Sequence, residues 1–391
     1  MQICGIVAEF NPFHNGHQYI INKIKASDNC ILSVMSGNYV QRGEPAQFSK
    51  FLRAKSALEC GVDLVVELPS PWSSSCAQNF SYGAISILKN CGISKLYFGS
   101  EIGNVEVLRN IAQVDRHLKL SESQLKSGKT FAQLRQTALS EILGTNCDTV
   151  LKGANNNLGI EYLKAMLDLE CDFETQTIAR CGTNHDSNLT SGDICSASYL
   201  RDLIETNRNI DDFVPRNVID LYNEAINEGK HTDFTFYRRT AFSFLRRFKN
   251  FEFLPDISEG IEMKLLKELR NANSFEELMD RVKSKRYTLA RIRRLLLSAY
   301  LKLDSEWFLK EVPYINVLGF SPKGEAALKQ IAEVSKVPIV VSCKPNRPLT
   351  SEAQKLLDEE CIRNDLYMSL LVSPMPCGCD HTNGLIKQEY K

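Results

Sequence analysis

Short apolar runs alternate with helical patterns along the first half of the chain, and this alternation constrains the fold more than any other feature. The apolar runs are Ile3–Ala8, Ile31–Met35, Leu64–Leu68 and Lys95–Phe98, and the helical patterns between them cover about His17–Lys25, Ser49–Cys60 and Asn79–Asn90. Almost continuously apolar strands are typical of parallel sheets that are buried on both faces. The first half is therefore predicted to be an α/β unit with a parallel sheet covered by helices, in which Glu174–Arg180 is the last strand.

The pattern changes after about Asn207. Consecutive amphipathic helices are predicted at Val218–Asn227, Ile261–Asn271, Ser274–Val282 and Thr288–Leu303, followed by a mixed stretch, Ile315–Ser342, and a helix near Ser351–Leu371. Polar, helix-breaking residues near Asn207–Asp212 suit a linker. We therefore expect an α/β domain over residues 1–210 and a mostly α-helical region over residues 211–391.

Charge and cysteine content exclude several classes of protein. Lys+Arg and Asp+Glu both total 47 among 391 residues, so the chain as a whole is not basic, although a local basic surface remains compatible with this balance. The sequence has no run of about 18 apolar residues that predicts a membrane span, and its first residues lack a signal-peptide pattern. The 13 cysteines are odd in number and irregularly spaced, which favours reduced thiols in the cytoplasm over a disulfide scaffold.

The C-terminal tail contains residue types that bind metals, in the segment Cys377-Gly378-Cys379-Asp380-His381. No second Cys/His pair at zinc spacing lies close to it in the sequence. The sequence therefore predicts no metal site in the tail.

Two basic segments stand out in the second half. Phe234–Lys249 and Arg281–Tyr300 contain no Asp or Glu, and both interleave their charges with Phe or Tyr. Such a mixture suits phosphate neutralisation and base stacking, whereas the alternative interpretation is a solvated helix face. The candidate nucleic-acid-binding residues are Arg238, Arg239, Arg246, Arg247, Lys285, Arg286, Arg291 and Arg294.

The strongest local signal is the turn after the first strand, Glu9-Phe10-Asn11-Pro12-Phe13-His14-Asn15-Gly16-His17. The carboxyl ends of parallel strands are where α/β folds bind ligands, and the helix that follows offers free backbone N–H groups to a phosphate. His14 and His17 can donate hydrogen bonds to phosphate oxygens as charge builds on a leaving pyrophosphate. Two alternatives remain at this point, a metal site built on the two histidines and histidines that only cap the turn.

Two segments together resemble the HIGH nucleotidyltransferase superfamily. His14-Asn15-Gly16-His17 matches its HxGH signature, and Ser196-Ala197-Ser198-Tyr199-Leu200-Arg201 resembles its second signature, whose Arg commonly meets the β- and γ-phosphates. The hydroxyls of the second signature cap a helix, so Ser196 or Ser198 is expected to be the N-cap of the helix that carries Arg201. The resemblance implies a Rossmann-like nucleotidyltransferase fold that attacks the α-phosphate of ATP and releases pyrophosphate. It also implies that His14, His17 and Arg201 are the catalytic residues.

Further blocks are similar to the tRNA(Met) cytidine acetate ligase family, over nearly the whole chain and more weakly after about Thr350. The blocks are GIVAEFNPFHNGH, MSGNYVQRGEPA, DLVVELP, YFGSE, NNNLGIEYLKA and SKRYTLARIRRLL. The resemblance implies a cytoplasmic enzyme that activates acetate with ATP and Mg²⁺ as acetyl-adenylate. The acetyl group then passes to the N4 amine of the wobble cytidine of elongator tRNA(Met). No obligate protein partner and no membrane are implied.

The same resemblance implies an ATP site. Its residues are Val7, Ala8, Glu9, Phe10, Asn11, Pro12, Phe13, His14, Asn15, Gly16, His17, Gln18, Tyr19, Ile20, Gly99, Asn155, Arg180, Ser196 and Ser198. From the residues themselves, Gly99 follows a strand, Asn155 is expected to cap a helix, and Arg180 ends a strand where its guanidinium can bind phosphate. The loop MSGNYVQRGEPA follows the second strand, so we expect it beside the histidine turn as part of the substrate lining.

The sequence departs from the family pattern at three places. Ala154 replaces a Pro, Thr183-Asn184-His185-Asp186 replaces Gly-Tyr-His-Asp after Arg180, and Ser49 replaces an Asp before Lys50. These departures bear on the residues that line the acetate side of the site. Two hypotheses from other functional classes also stay open, a small-molecule adenylyltransferase of the pantetheine-phosphate or nicotinamide-mononucleotide type, and a non-catalytic RNA-binding protein. ATP–pyrophosphate exchange separates the three, because only the ligase requires acetate and only the binding protein shows no exchange.

Overall fold

The computed structural model describes residues 1–25, 29–119, 121, 131–144, 147–179, 195–258, 260–303 and 305–388. The described strands are β1 (Ile3–Ala8), β2 (Cys30–Ser36), β3 (Tyr39–Val40), β4 (Glu44–Pro45), β5 (Leu64–Leu68), β6 (Lys95–Ser100), β7 (Glu174–Ala179), β8 (Ile315–Phe320), β9 (Ile339–Val341), β10 (Lys344–Pro345) and β11 (Ile386–Lys387). The described α-helices are α1 (Asn15–Lys25), α2 (Lys50–Glu59), α3 (Ser70–Ser73), α4 (Ala77–Asn90), α5 (Val105–Arg116), α6 (Phe131–Leu143), α7 (Asp148–Lys152), α8 (Ala154–Asp168), α9 (Ala197–Glu205), α10 (Arg216–Asn227), α11 (Phe234–Leu245), α12 (Ile261–Asn271), α13 (Phe275–Val282), α14 (Leu289–Leu301), α15 (Pro322–Val334), α16 (Ser351–Met368) and α17 (Cys379–Thr382).

One large sheet organises the molecule. Its strand order is β10-β9-β8-β5-β2-β1-β6-β7, with β11 beside β8, and β5, β2, β1, β6 and β7 are mutually parallel. This confirms the predicted Rossmann-like parallel sheet. From β1 the chain first adds β2 and β5 on one side and then β6 and β7 on the other. Such a reversal opens a crevice at the carboxyl ends of β1 and β6, where ligands bind in this class of fold.

The sheet continues with strands from the second half of the chain. β8 joins β5 in antiparallel orientation, with Val317 opposite Val66, and then carries β9 and β11. The predicted last strand of the first half is confirmed as β7, which pairs with β6 at one edge of the sheet. The apolar run Ile315–Phe320 of the second half is also buried in the sheet, beside β5. The division at residue 210 stays a prediction, and the sheet crosses it.

The helices between Phe234 and Leu301 form a second hydrophobic core beside the sheet, centred on residues such as Tyr237, Leu265 and Leu296. α11 belongs to this core, although the sequence indicated only a basic segment there, because Tyr237, Ala241 and Leu245 place one apolar face inside. Tyr39, from the loop after β2, also inserts into it. Among the described helices, none has both the length and the apolar character that a membrane span requires.

Candidate active site

The two histidines of the predicted signature face one another where β1 leads into α1, His14 in the turn and His17 in the first turn of the helix. Their ring centroids are 3.8 Å apart. The Gly16 N–H donates to Nδ1 of His14 at 3.1 Å, and the His14 N–H donates to Nδ1 of His17 at 3.2 Å. A ring nitrogen that accepts a hydrogen bond carries no proton, so each neutral imidazole carries its proton on Nε2. The backbone thus selects the tautomer that provides an Nε2–H donor for a phosphate oxygen.

Two phenylalanines hold the second histidine in place. Phe10 and Phe13 are buried, and their ring centroids lie 5.1 and 5.4 Å from that of His17. The Phe13 N–H donates to the Tyr222 hydroxyl at 3.0 Å, which ties the turn to α10. Both phenylalanines were predicted among the ATP-binding residues, and the structure places their side chains in the core beneath the turn.

Arg201 joins the second signature to the first. Its Nη1 donates to the Asn11 carbonyl at 2.9 Å, and its Nη2 donates to the Ser198 hydroxyl at 3.3 Å. Arg201 is 8% exposed, and none of the described carboxylates forms an ion pair with it. Burial, aided by the nearby Arg42, lowers the pKa of Arg201 from its ordinary value. A buried cation without a carboxylate in direct contact is costly, so this site favours an anion.

The helix that carries Arg201 begins as the sequence predicted. Ser196 is the N-cap of α9, and its hydroxyl accepts a hydrogen bond from the Tyr199 N–H at 3.2 Å. The expectation that Ser196 or Ser198 caps this helix is confirmed for Ser196. Ser198 instead accepts the hydrogen bond from Arg201 and fixes the guanidinium.

The loop after β2 lies against the histidine turn, as expected from its position. The Gln41 N–H donates to Glu9 Oε1 at 2.8 Å, and the Gln47 N–H donates to Asn11 Oδ1 at 2.7 Å. Gly43 allows the loop to touch α14, because its φ is 79° and a Cβ there would lie 2.4 Å from the Arg294 backbone nitrogen. The loop therefore connects the turn to the helical part of the molecule.

Arg53 is a site residue that sequence reasoning missed. It is fully buried in α2 and donates from Nη1 to the carbonyls of Glu9 at 2.7 Å and Ser36 at 3.0 Å. It also binds the carbonyls of Phe48 and Gly37. One guanidinium thus holds the ends of β1 and β2 and the loop together. The signal available in the sequence was an Arg on the apolar face of α2, beside Ala54 and Ala57.

A buried ion cluster supports the same loop from below. Lys50 Nζ lies 3.0 Å from Glu67 and 2.7 Å from Asp380, and all three side chains are at least nine-tenths buried. Burial alone lowers the Lys50 pKa, but Asp380 and Glu67 outweigh it and raise that pKa above its ordinary value. The Lys50 N–H donates to Asn38 Oδ1 at 2.6 Å, which links the cluster to the loop. Ser49, the departure noted in the sequence, caps α2 by accepting a hydrogen bond from the Leu52 N–H.

The segments FGSE and NNNLG meet at the carboxyl end of β6. Glu101 accepts hydrogen bonds from the Asn155 side chain at 2.7 Å and from the Asn156 N–H at 2.7 Å. Gly99 lies within β6 and not after it, opposite Ile178. The expectation that Asn155 caps a helix was wrong, because Gly153 is the N-cap of α8 and the Asn155 amide donates to Glu101.

The remaining residues that were predicted to bind ATP do not all lie at the histidine turn. Gln18 donates to the Cys60 carbonyl at 3.0 Å, away from the turn. Tyr19 lies beneath the Lys23 ammonium, at 5.5 Å from its nitrogen. Val7 and Ala8 form the half-buried end of β1. The predicted phosphate-binding Arg180 lies outside the described residues, as does the segment 183–186.

The basic segments divide into an exposed and an inward-facing set. Arg239, Arg246, Arg247, Lys285 and Arg286 are exposed, and Arg246 and Arg247 lie over the rings of Phe242 and Phe244. Arg238 is half-exposed, 3.6 Å from Glu276. Arg291 donates to the Asp256 carbonyl and the Ser258 hydroxyl, and Arg294 is half-buried against α3 and α4 in a small cleft that includes Cys76. Neither basic segment contains an acidic residue, but the fold brings Glu276 next to Arg238 and Asp256 next to Arg291.

Comparison with known proteins places this geometry in a family. The family model for HIGH Nucleotidyl Transferase matches residues 1–377. A tRNA(Met) cytidine acetate ligase of Clostridium novyi is 38% identical over 87% of this chain and 89% of its own length. One from Thermoanaerobacter pseudethanolicus is 35% identical over 99% of this chain and 100% of its own length.

The chain belongs to the tRNA(Met) cytidine acetate ligase family.

Two solved structures from this family share the whole fold. Apo Thermotoga maritima TmcAL superposes with a TM-score of 0.92 at 31% identity, and the match covers 99% of each chain. The same protein bound with alpha-thio ATP superposes with a TM-score of 0.89 at 30% identity, again over 99% of each chain. The resemblance stated from the sequence motifs is thereby confirmed.

Proposed function

We propose that this protein activates acetate with ATP as acetyl-adenylate and transfers the acetyl group to the N4 amine of the wobble cytidine of elongator tRNA(Met). The observation that carries the proposal is Arg201, a buried cation that contacts the histidine turn without an ion-pair partner among the described residues. Its position at the crevice beside β1 and β6 suits a triphosphate. The ATP analogue in the T. maritima relative supports ATP as the nucleotide.

In the first step an acetate oxygen attacks the α-phosphorus of ATP, and the bond from that phosphorus to the bridging oxygen breaks. His14 and His17 donate from Nε2 to the departing pyrophosphate, while Arg201 binds its terminal oxygens through a guanidinium fork. No protein nucleophile is required, because acetate supplies the attacking oxygen. The rate gain then comes from positioning and charge stabilisation, as in other phosphoryl-transfer sites.

Mg²⁺ would neutralise charge on the triphosphate and be held chiefly by the phosphates themselves. Glu9, Glu44 and Glu205 all lie near enough to Arg201 to influence its pKa. Their hard oxygen atoms are ligands that Mg²⁺ accepts. The residues at the site therefore fit this ion.

In the second step the cytidine N4 attacks the acetyl carbon, AMP leaves, and the nitrogen loses a proton. A cavity of about 220 Å³ between the loop after β2 and the helical part suits the base, because it is lined by Glu44, Tyr237, Arg238 and Arg293. The buried Tyr237 hydroxyl has no hydrogen-bond partner among the described residues. The Glu44 carboxylate can accept from an exocyclic amine. The wobble base would have to leave its stack to enter.

Acetate-dependent ATP–pyrophosphate exchange tests the proposed activity. The ligase is expected to show exchange only when acetate is present. In a second assay with tRNA it should transfer a labelled acetyl group to the tRNA. Exchange without acetate would identify a small-molecule adenylyltransferase. No exchange, together with RNA binding, would identify a non-catalytic RNA-binding protein.

Changing Arg201 to Lys keeps the charge and removes the fork, so we expect the apparent KM for ATP to rise by about 10- to 100-fold. Preformed acetyl-adenylate should restore acetylation of tRNA, because that intermediate lacks the β- and γ-phosphates. Arg208→Lys is the matched control, since Arg208 is an exposed arginine just beyond the same helix that pairs with Asp202. A variant that stays inactive with the preformed adenylate, while folded, would assign Arg201 to the transfer step.

Reversing the charge of Arg239 and Arg247 together should weaken tRNA binding and lower the salt slope by about 1 per lost phosphate contact. Both side chains are exposed on or just after α11. Acetate-dependent exchange should persist, because adenylation needs no tRNA. The control is the double reversal of Lys329 and Lys336, which are exposed on and just after α15. Equal losses in both double variants would show a general charge effect and not a tRNA-binding surface.

A further inference from the structure

Three metal-ligating side chains from separate parts of the second half meet at one place. Cys343 lies in the turn between β9 and β10, Cys361 lies on α16, and His381 lies on α17. Their ligand atoms all lie within 4.8 Å of one another. The two cysteines are partly buried and the histidine is exposed, so an ion from solution can reach the group. None of these residues belongs to the adenylation site.

The spacing of the two sulfur atoms suits a shared metal ion. They are 3.5 Å apart. Two thiolates on a tetrahedral zinc ion, each at about 2.3 Å, lie about 3.8 Å from one another. A disulfide bond would require about 2.05 Å. Two sulfurs and one imidazole nitrogen are also the ligand types that zinc selects.

The surroundings of these three side chains provide a second, independent observation that points to a bound ion. Asp380 is 7% exposed; its Oδ1 pairs with Lys50, and its Oδ2 has no hydrogen-bond partner among the described residues. Asp380 and Cys343 line the same cavity of about 20 Å³. A space of this size holds one water molecule and no organic ligand. A metal-bound water there would have an unpaired carboxylate oxygen to donate to.

We propose that Cys343, Cys361 and His381 bind one zinc-type divalent cation, with a water molecule from this cavity as the fourth ligand. The tail sequence alone argued against a metal site, because two of the three ligands lie well before it in the chain. The ion ties the β9–β10 turn and α16 to the short helix α17. Through Asp380 it also holds the partner of Lys50 in place, so its role is structural. The proposal is independent of the proposed function.

Cobalt substitution tests the site directly. Untagged protein, stripped with a chelator and kept reduced with a phosphine, is titrated with Co²⁺ and followed by absorption. The parent should bind one equivalent, with sulfur-to-cobalt charge-transfer absorption in the near ultraviolet and d–d bands in the visible. Cys343→Ser and Cys361→Ser should lose the charge-transfer signal or bind at least tenfold more weakly, and His381→Ala should bind more weakly.

Cys377→Ser is the matched control, because Cys377 is exposed in the same tail and lies outside the group. It should bind Co²⁺ as the parent does. Zn²⁺ should displace the cobalt and raise the melting temperature of the parent and of Cys377→Ser, but not that of Cys343→Ser. Absence of a stoichiometric cobalt signal in the parent, an unchanged signal in Cys343→Ser, or a Cys343–Cys361 disulfide found in place of metal would overturn the proposal.

Discussion

Changing His14 or His17 to Ala is expected to slow acetate-dependent ATP–pyrophosphate exchange by about 10²- to 10³-fold, the usual cost of one preorganised donor to a developing charge. Each ring is fixed by a backbone N–H that donates to its Nδ1, so each provides its proton from Nε2. Alanine removes this donor from the leaving pyrophosphate. The measurement is the exchange rate at saturating acetate and ATP.

The affinity for tRNA should remain close to that of the parent in both histidine variants, because neither histidine belongs to the exposed arginines and lysines of the two basic segments. His117→Ala serves as the matched control, since His117 is exposed at the end of α5. It should exchange at the parent rate. Normal exchange in either folded site variant would remove the phosphate-binding role from that histidine.

Changing Lys50 to Met is expected to destabilise the protein by about 3–5 kcal/mol, because it leaves buried carboxylates without their cation. Lys50 is 2% exposed and forms ion pairs with both Glu67 and Asp380. Methionine has a similar length but carries no charge. The shift in the urea midpoint, followed by the fluorescence of Trp72 and Trp307, whose buried rings contact each other, measures the loss.

Lys55→Met is the control for this substitution, because Lys55 is exposed on the same helix. It should move the midpoint little, as surface substitutions usually do. The double variant Lys50→Met with Glu67→Gln should recover part of the loss, since one unpaired carboxylate is then neutral. A Lys50→Met protein as stable as the Lys55→Met protein would show that the cluster contributes little to stability.

The local sequence pattern was sufficient to predict the parallel part of the sheet and to recognise the two signatures. β1 and β5 begin and end at the predicted residues, because continuous apolar runs bounded by turns leave few alternatives. Ser196 was recognisable as a cap from its side chain and the helical pattern that follows. The order of HNGH and SASYLR was also enough to indicate the family, since both motifs carry their chemistry within a few residues.

Contacts between residues far apart in sequence decided the rest. The register that joins β8 to β5, the carbonyl groups gathered around Arg53, and the Glu276 and Asp256 neighbours of the basic segments all depend on how the chain folds back on itself. The group of Cys343, Cys361 and His381 forms for the same reason. A sequence pattern reports what each residue prefers locally. Which buried charges find partners, and which Arg faces solvent, is set by packing between segments that no local pattern specifies.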